Sequence, residues 1–295
     1  MNKTRLAARA PLVANHPRAF AAYRYVYPVL SRRAGGISIG VNLNLDKICN
    51  FDCIYCQVDR KQPGVKQSVD VARLRAELND MVEQVVSGRL YDQPPFCDVP
   101  PALRRLNDIA LSGDGEPTTY RNFARVVAAC AEVRSAHGLD DLKLVLITNA
   151  TMFHRGSVRQ GLELLDAANG EIWAKLDAGT EAYYKEVDRT TVPLSRILAN
   201  LVDAARVRPI VIQSLFMRIC DAGPPPAEVE AYCDRLNEIA AAGGRIKLVQ
   251  IHTVARAPAE TWVAALSDAE VDALAQRVRD RTGLSVAQFY GSGAG

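Results

Sequence analysis

No stretch of the chain approaches the run of about 20 apolar residues that a membrane span needs. There is no low-complexity tract and no helical repeat array. Charge of one sign is also scarce. Lys plus Arg exceeds Asp plus Glu by 36 − 33 = 3, a balance that neither demands nor excludes nucleic acid. The N-terminal MNKTRLAARAPLVANHPRAF is basic and slightly apolar. Arg9 and Pro11 break its apolar run, and no clear small-residue cleavage site follows, which argues against a signal peptide. These absences lead to the expectation of a cytoplasmic protein without membrane contact. In that compartment clustered cysteines are more often metal ligands or redox groups than disulfides.

What is present is enough to build a sizeable core: 295 residues, of which 48% are hydrophobic and 23% charged. Short apolar runs alternate with longer helical patterns. The runs are GISIGVNLNL (36–45), DIALS (108–112), KLVLIT (143–148), EIWAKLDA (171–178), PIVIQSLFM (209–217) and RIKLVQIHTV (245–254). Each is rich in Ile, Val and Leu, as buried parallel strands are. Between them, Val71, Leu74, Leu78, Met81 and Val85 share one helical face. Further helices are predicted over 119–136, 155–167, 194–206, 226–241 and 267–281, and SVAQFY (285–290) is a candidate seventh strand. Such alternation predicts an α/β fold with a parallel sheet, open or curled into a full or partial barrel. In all of these, ligands bind at the carboxyl ends of the strands.

At that edge, directly after the first run, stands CNFDCIYC, with Cys49, Cys53 and Cys56 in one loop. Soft thiolates select zinc or iron–sulfur clusters. A structural zinc site needs four protein ligands. Three thiolates on a [4Fe–4S] cubane leave one iron open to a substrate. Of the remaining cysteines, Cys97 is expected at the opposite edge, and Cys130 and Cys233 within helices. Only Cys220 is expected near the functional edge, so a disulfide or zinc reading lacks an obvious partner, although a distant His could supply one. The second run ends in LSGDGEPTTY (111–120). Gly113 and Gly115 permit unusual dihedrals and close approach, and Pro117 stops the ladder. A plain strand-to-helix turn would also explain them. A dinucleotide loop is excluded, because the third glycine is missing and Glu116 occupies the place of a pyrophosphate. The acidic, carbonyl-rich edge suits a cation such as an ammonium group.

CNFDCIYC resembles the C-x3-C-x-aromatic-C signature of the radical S-adenosylmethionine (SAM) superfamily, and GDGEP resembles its G-G-E-P motif. Order and spacing agree over about residues 36–254. The resemblance implies a partial (β/α)6 TIM-type barrel of parallel strands over 36–295, with residues 1–35 as an extension packed on it. It implies that Cys49, Cys53 and Cys56 hold three irons of a [4Fe–4S] cluster and that SAM chelates the fourth. Tyr55 would lie near the adenine, or simply pack in the loop. Gly113, Asp114, Gly115 and Glu116 would meet the methionine amino group, with Asp114 in place of the commoner second glycine. A reduced cluster would then cleave SAM to a 5′-deoxyadenosyl radical that takes hydrogen from a substrate.

Weaker candidates sit at other strand ends. ITNAT (147–151) resembles the superfamily's T-N-G motif with Ala150 in place of glycine. Asn149 would touch SAM or cap the following helix. Asp177 would bind ribose hydroxyls, or form a structural ion pair with Lys175 on the same side of its strand. Gln213 and His252 would line the cavity or be satisfied in the core, and Arg256 would bind a substrate anion. RAFAAYRYVYPVLSRR (18–33) interleaves arginines with aromatics, a pattern that can stack on nucleic acid. More often it packs its aromatics and leaves its arginines in water.

The stretch YVYPVLSRRAGGISIGVNLNLDKICNFDCIYCQVDR resembles the wyosine-synthase-like branch, whose members rebuild a guanine in transfer RNA. Those enzymes carry upstream cysteines for a second cluster, and here no cysteine precedes Cys49. Glycyl-radical activation and peptide modification are other branches of this size. The expected partners are a flavodoxin- or ferredoxin-like reducing donor and a substrate that is transfer RNA, peptide or protein. The alternative is a non-catalytic iron–sulfur or zinc protein, or a nucleic-acid-binding module with structural cysteines. Neither needs GDGEP.

Overall fold

The computed structural model describes residues 20–60, 62, 64–65, 68–258 and 260–291. The chain forms two compact units. The first comprises residues 1–49, 60–147 and 155–171; the second comprises 50–59, 148–154 and 172–295.

In the first unit, β1 (Val26–Ser31) pairs antiparallel with β2 (Gly36–Val41). Then β2, β3 (Leu106–Leu111) and β4 (Lys143–Thr148) run parallel. Every residue of β2 is buried, as expected of a strand covered on both faces. Gly40 faces Tyr27 across the β1–β2 register, and a Cβ at Gly40 would run into the Tyr27 ring. The ring thus covers the glycine, and its hydroxyl reaches the Ser112 carbonyl at 3.2 Å, at the end of β3. The helices are α1 (Val71–Val86), α2 (Phe123–Ala136) and α3 (Gly156–Ala167). Helix α1 opens on Asp70, which accepts from the Ala72 and Arg73 amides, and buries Leu74, Leu78, Met81 and Val85.

In the second unit, β5 (Gly170–Lys175), β6 (Ile210–Leu215), β8 (Ile246–His252) and β10 (Val286–Phe289) pair parallel in that order. A small antiparallel pair joins β7 (Arg218–Ile219) to β9 (Val263–Ala264). The helices are α4 (Glu181–Asp188), α5 (Leu194–Val207), α6 (Pro226–Ala241) and α7 (Asp268–Thr282). Helix α7 begins with a capping box of Ser267 and Glu270 and ends on Gly283 in the left-handed region.

Each apolar run identified in the sequence is a strand, SVAQFY supplies β10, and the six predicted helices form. Strands β1, β7 and β9 and helix α4 are additions. Among the described residues, no helix is long and apolar enough to cross a membrane. Tyr25 and Tyr27 of the basic–aromatic stretch are buried, so those rings are packing groups, and Arg24, Arg32 and Arg33 are half-buried rather than fully in water.

Candidate functional site

In the first unit, the loop after β2 meets the loop after β3. Asn42 makes the join: its Oδ1 accepts from the Asn44 and Asp114 amides at 3.0 and 3.2 Å, and its Nδ2 donates to Asp114 at 2.6 Å. Asp114 therefore has its own work, tying the glycine turn to β2. A Cβ on Gly113 would collide with the Asn42 amide. One on Gly115 would collide with the Ile48 carbonyl and stand 2.7 Å from the Asn44 Cβ. Neither glycine adopts a positive φ, so close approach between the two loops, not unusual dihedrals, requires them. Ile48 immediately precedes Cys49. Arg60 braces the same loops, donating to the Lys47 carbonyl at 2.5 Å and the Asp114 carbonyl at 3.1 Å. Glu116 is buried and caps the short turn Pro117–Thr119, accepting from the Thr118 amide at 3.0 Å and from its hydroxyl.

In the second unit, α4 ends against residues 50–56. The Asp52 and Ile54 amides donate to the Asp188 and Val187 carbonyls at 3.0 and 2.9 Å, and Thr190 donates to the Asn50 carbonyl at 2.8 Å. These last carbonyls of the helix have no partner within it, and the loop uses them. Cys53 is buried, with its Sγ 3.2 Å from Asp188 and 3.8 Å from the Lys175 ammonium. Burial pushes the Cys53 thiol well up; Lys175 opposes this, while Asp188 and Asp177 add to it. Burial likewise raises Asp188, with Asp177 adding to the rise and Lys175 working against it. Cys56 is half-buried and its amide bonds the Cys53 carbonyl at 2.9 Å. Cys49 is half-buried and belongs to the first unit.

Tyr55 is buried and donates its hydroxyl to Asp177. Asp177 also accepts from the Leu215 amide at 2.7 Å and lies 3.7 Å from Lys175. The structural ion pair expected as one reading of Lys175 and Asp177 thus forms. Asn149 does not cap α3, which starts after Arg155 without a side-chain cap. Its Nδ2 donates to Asn50 at 2.8 Å, and its Oδ1 accepts from the Thr151 amide and hydroxyl. Ala150, at the glycine position of the motif, has φ +60°. Asn200 holds that strained turn by donating to the Ala150 and Thr151 carbonyls. Gln213 is buried and donates to Gln250 at 3.0 Å, Arg256 donates to Gln57 at 3.3 Å, and His252 is buried on β8.

Asn42, Arg60 and Asp188 escaped the sequence reading. Asn42 stands one residue past a strand end, where a polar residue is a legible signal. Asp188 ends a helix that the pattern between 178 and 194 did not disclose, although Thr180 followed by Glu181 is an N-cap signal.

The seven cysteines are all free thiols, Cys97 and Cys220 exposed, Cys130 and Cys233 buried in α2 and α6. Among the described residues, no three His, Cys, Asp or Glu side chains converge as a single-ion site. A cubane takes one thiolate per iron and requires no such convergence. Three thiols on one short loop, the middle one buried beside a cation, fit such a cluster in donor type.

Residues 43–219, more than half of the chain, match the family model described as the radical SAM superfamily. A radical SAM methyltransferase from Sphaerobacter thermophilus shares the fold with a TM-score of 0.61 at 12% identity, covering 91% of this chain and 70% of that one. A structure of TYW1 with a lysine–pyruvate adduct bound gives 0.53 at 13%, covering 82% and 73%. These likenesses show the expected partial (β/α)6 TIM-type barrel, with β1 as an antiparallel addition to its parallel strands. Among curated relatives, a GTPase Obg of Brachyspira hyodysenteriae is 21% identical over 211 residues, 70% of this chain and 27% of that protein. A UPF0026 protein of Methanocaldococcus jannaschii is 26% identical over 184 residues, 59% and 47%. The chain spans about a quarter to a half of the length of these relatives. With its thiol loop, glycine turn and barrel fold, the chain belongs to the radical SAM superfamily and is an enzyme of that iron–sulfur class.

Proposed function

We propose that Cys49, Cys53 and Cys56 hold a [4Fe–4S] cluster and that the enzyme uses it on SAM to modify an RNA, a peptide or a protein. When bound, the cluster supplies one electron for reductive cleavage of SAM to a 5′-deoxyadenosyl radical, which abstracts hydrogen from that substrate. The observation that carries this reading is the join of the two motif loops in the first unit: Gly115 has no Cβ, and the residue before Cys49 fills that space. The glycine turn is thereby built against the residue that leads into Cys49, which supports the reading.

The chain's own residues divide the work. The α4 carbonyls fix residues 52 and 54 on either side of Cys53. Glu116, buried on the β3 loop, and the carbonyls of the glycine turn offer acceptors for the methionine ammonium. Tyr55 presents an aromatic face whose hydroxyl is anchored on Asp177, and Asp177 and Asn149 stand at neighbouring strand ends for the nucleoside. A flavodoxin- or ferredoxin-like donor reduces the enzyme, and catalysis takes place in the cytoplasm.

The test is electron paramagnetic resonance on anaerobically reconstituted, reduced protein. A [4Fe–4S]⁺ signal that shifts when SAM is added, and that is lost in Cys49→Ala, Cys53→Ala and Cys56→Ala, is expected. A signal indifferent to SAM, or a protein that takes up zinc and no iron, overturns the reading.

A further inference from the structure

Lys175 closes β5 without being a thiol ligand, yet its ammonium is placed against one. It stands 3.8 Å from the Cys53 sulfur, 3.7 Å from Asp177 and 4.7 Å from the centre of the Tyr55 ring. Its side chain is 21% exposed, whereas Asp177 and Cys53 are deeply buried. A lysine ammonium carries its positive charge across the ordinary pH range.

An ion pair with Asp177 does not account for this placement. The Asp177 carboxylate already accepts from the Leu215 amide and the Tyr55 hydroxyl. The sulfur has the greater need of a positive neighbour. It lies 3.2 Å from the Asp188 carboxylate, and the Lys175 ammonium is the positive group placed against it. Hydrogen bonds to cluster sulfurs and local net charge set the reduction potential of an iron–sulfur centre. A fixed cation in a poorly solvated place favours the state that has gained an electron.

We propose that Lys175 is a positioning residue for the redox chemistry: its ammonium donates to the Cys53 sulfur and raises the reduction potential of the cluster this thiolate would hold. The inference rests on the assignment of Cys53 as a cluster ligand.

The experiment is an anaerobic redox titration of the reconstituted full chain, followed by paramagnetic resonance, for the wild type, Lys175→Met, Lys175→Gln and Lys175→Arg. Iron and sulfide contents are measured first. Lys175→Met keeps the length and removes the charge and the donor. At a fixed solution potential its reduced-to-oxidised ratio is expected to fall about tenfold, which for a one-electron couple is about 59 mV more negative. Lys175→Arg keeps the charge and is expected to stay within about twofold of the wild type. A Lys175→Met midpoint equal to the wild type, at equal iron content, overturns the inference and leaves the cluster assignment standing. So does the loss of the cluster from both Lys175→Met and Lys175→Gln, which would make the lysine a structural part of the site. A wild type that assembles no cluster sinks the assignment and the inference together, and the iron content shows this before any variant is compared.

Discussion

Gly115 has no room for a side chain. The Ile48 carbonyl already occupies the direction in which a Cβ would point, and backbone cannot rotate aside as a flexible side chain can. Gly115→Ala is therefore expected to cost about 1–3 kcal/mol through overpacking, read as a lower urea midpoint, and to reduce the iron retained on reconstitution. A second residue, Asp108 on β3, makes a prediction about pH. Burial lifts its carboxyl from 3.8 to about 6, with Ser38 and then Arg33 holding it down. The folded state therefore binds this proton more tightly than the unfolded state, and the contribution to stability is fully present below about pH 4 and lost as pH rises through about 6. Asp108→Asn removes the titration. Its stability relative to wild type should be about 2–3 kcal/mol more favourable at pH 7.5 than at pH 4. The half-buried Arg33 loses the Asp108 charge in that variant, an offset separate from the titration, so only the pH dependence carries the test. Paired urea melts at the two pH values measure it, and a constant difference would contradict the assignment.

At the scale of the element, α4 matters most. It is short, eight residues, and too brief to be stable alone. Its start is held by Thr180, whose hydroxyl accepts from the Tyr183 amide and donates to the buried Glu228 at 2.6 Å. Its end supplies the carbonyls that hold residues 52 and 54. Thr180→Val should cost about 1–3 kcal/mol, combining a lost cap with a carboxylate deprived of a donor. Hydrogen exchange would show the coupling: the Asp52 and Ile54 amides should lose protection together with α4. If they keep it, the loop is held by something other than the helix end.

The same element shows the limit of what the sequence discloses. The seven predicted strands were legible because each is an apolar run, and the six longer helices because they carry an apolar face. Helix α4, EAYYKEVD, has too few turns for a period to emerge, so the partner of Cys53 at Asp188 stayed hidden. Strand β1 was hidden for a different reason: it lies within the stretch 18–33, whose interleaved arginines and aromatics mimic a nucleic-acid-binding segment, although Tyr27 in fact covers Gly40. Cys49, Cys53, Cys56 and Gly113–Glu116 were legible as motifs because their chemistry fixes their spacing. The hydrogen bonds that orient them, such as Asn42 to Asp114, join residues 72 apart in the chain, and no local pattern records that.

For the molecule as a whole, membership of the radical SAM superfamily supports the general radical SAM reaction, and the site residues fix what can be tested. The most direct measurement is 5′-deoxyadenosine, quantified by mass spectrometry after anaerobic reconstitution with iron and sulfide, chemical reduction and addition of SAM. A radical SAM reaction that depends on Cys53 predicts product from the wild type and a fall to background in Cys53→Ala. Equal product from both, or none from a wild-type protein that holds its full complement of iron, would contradict it.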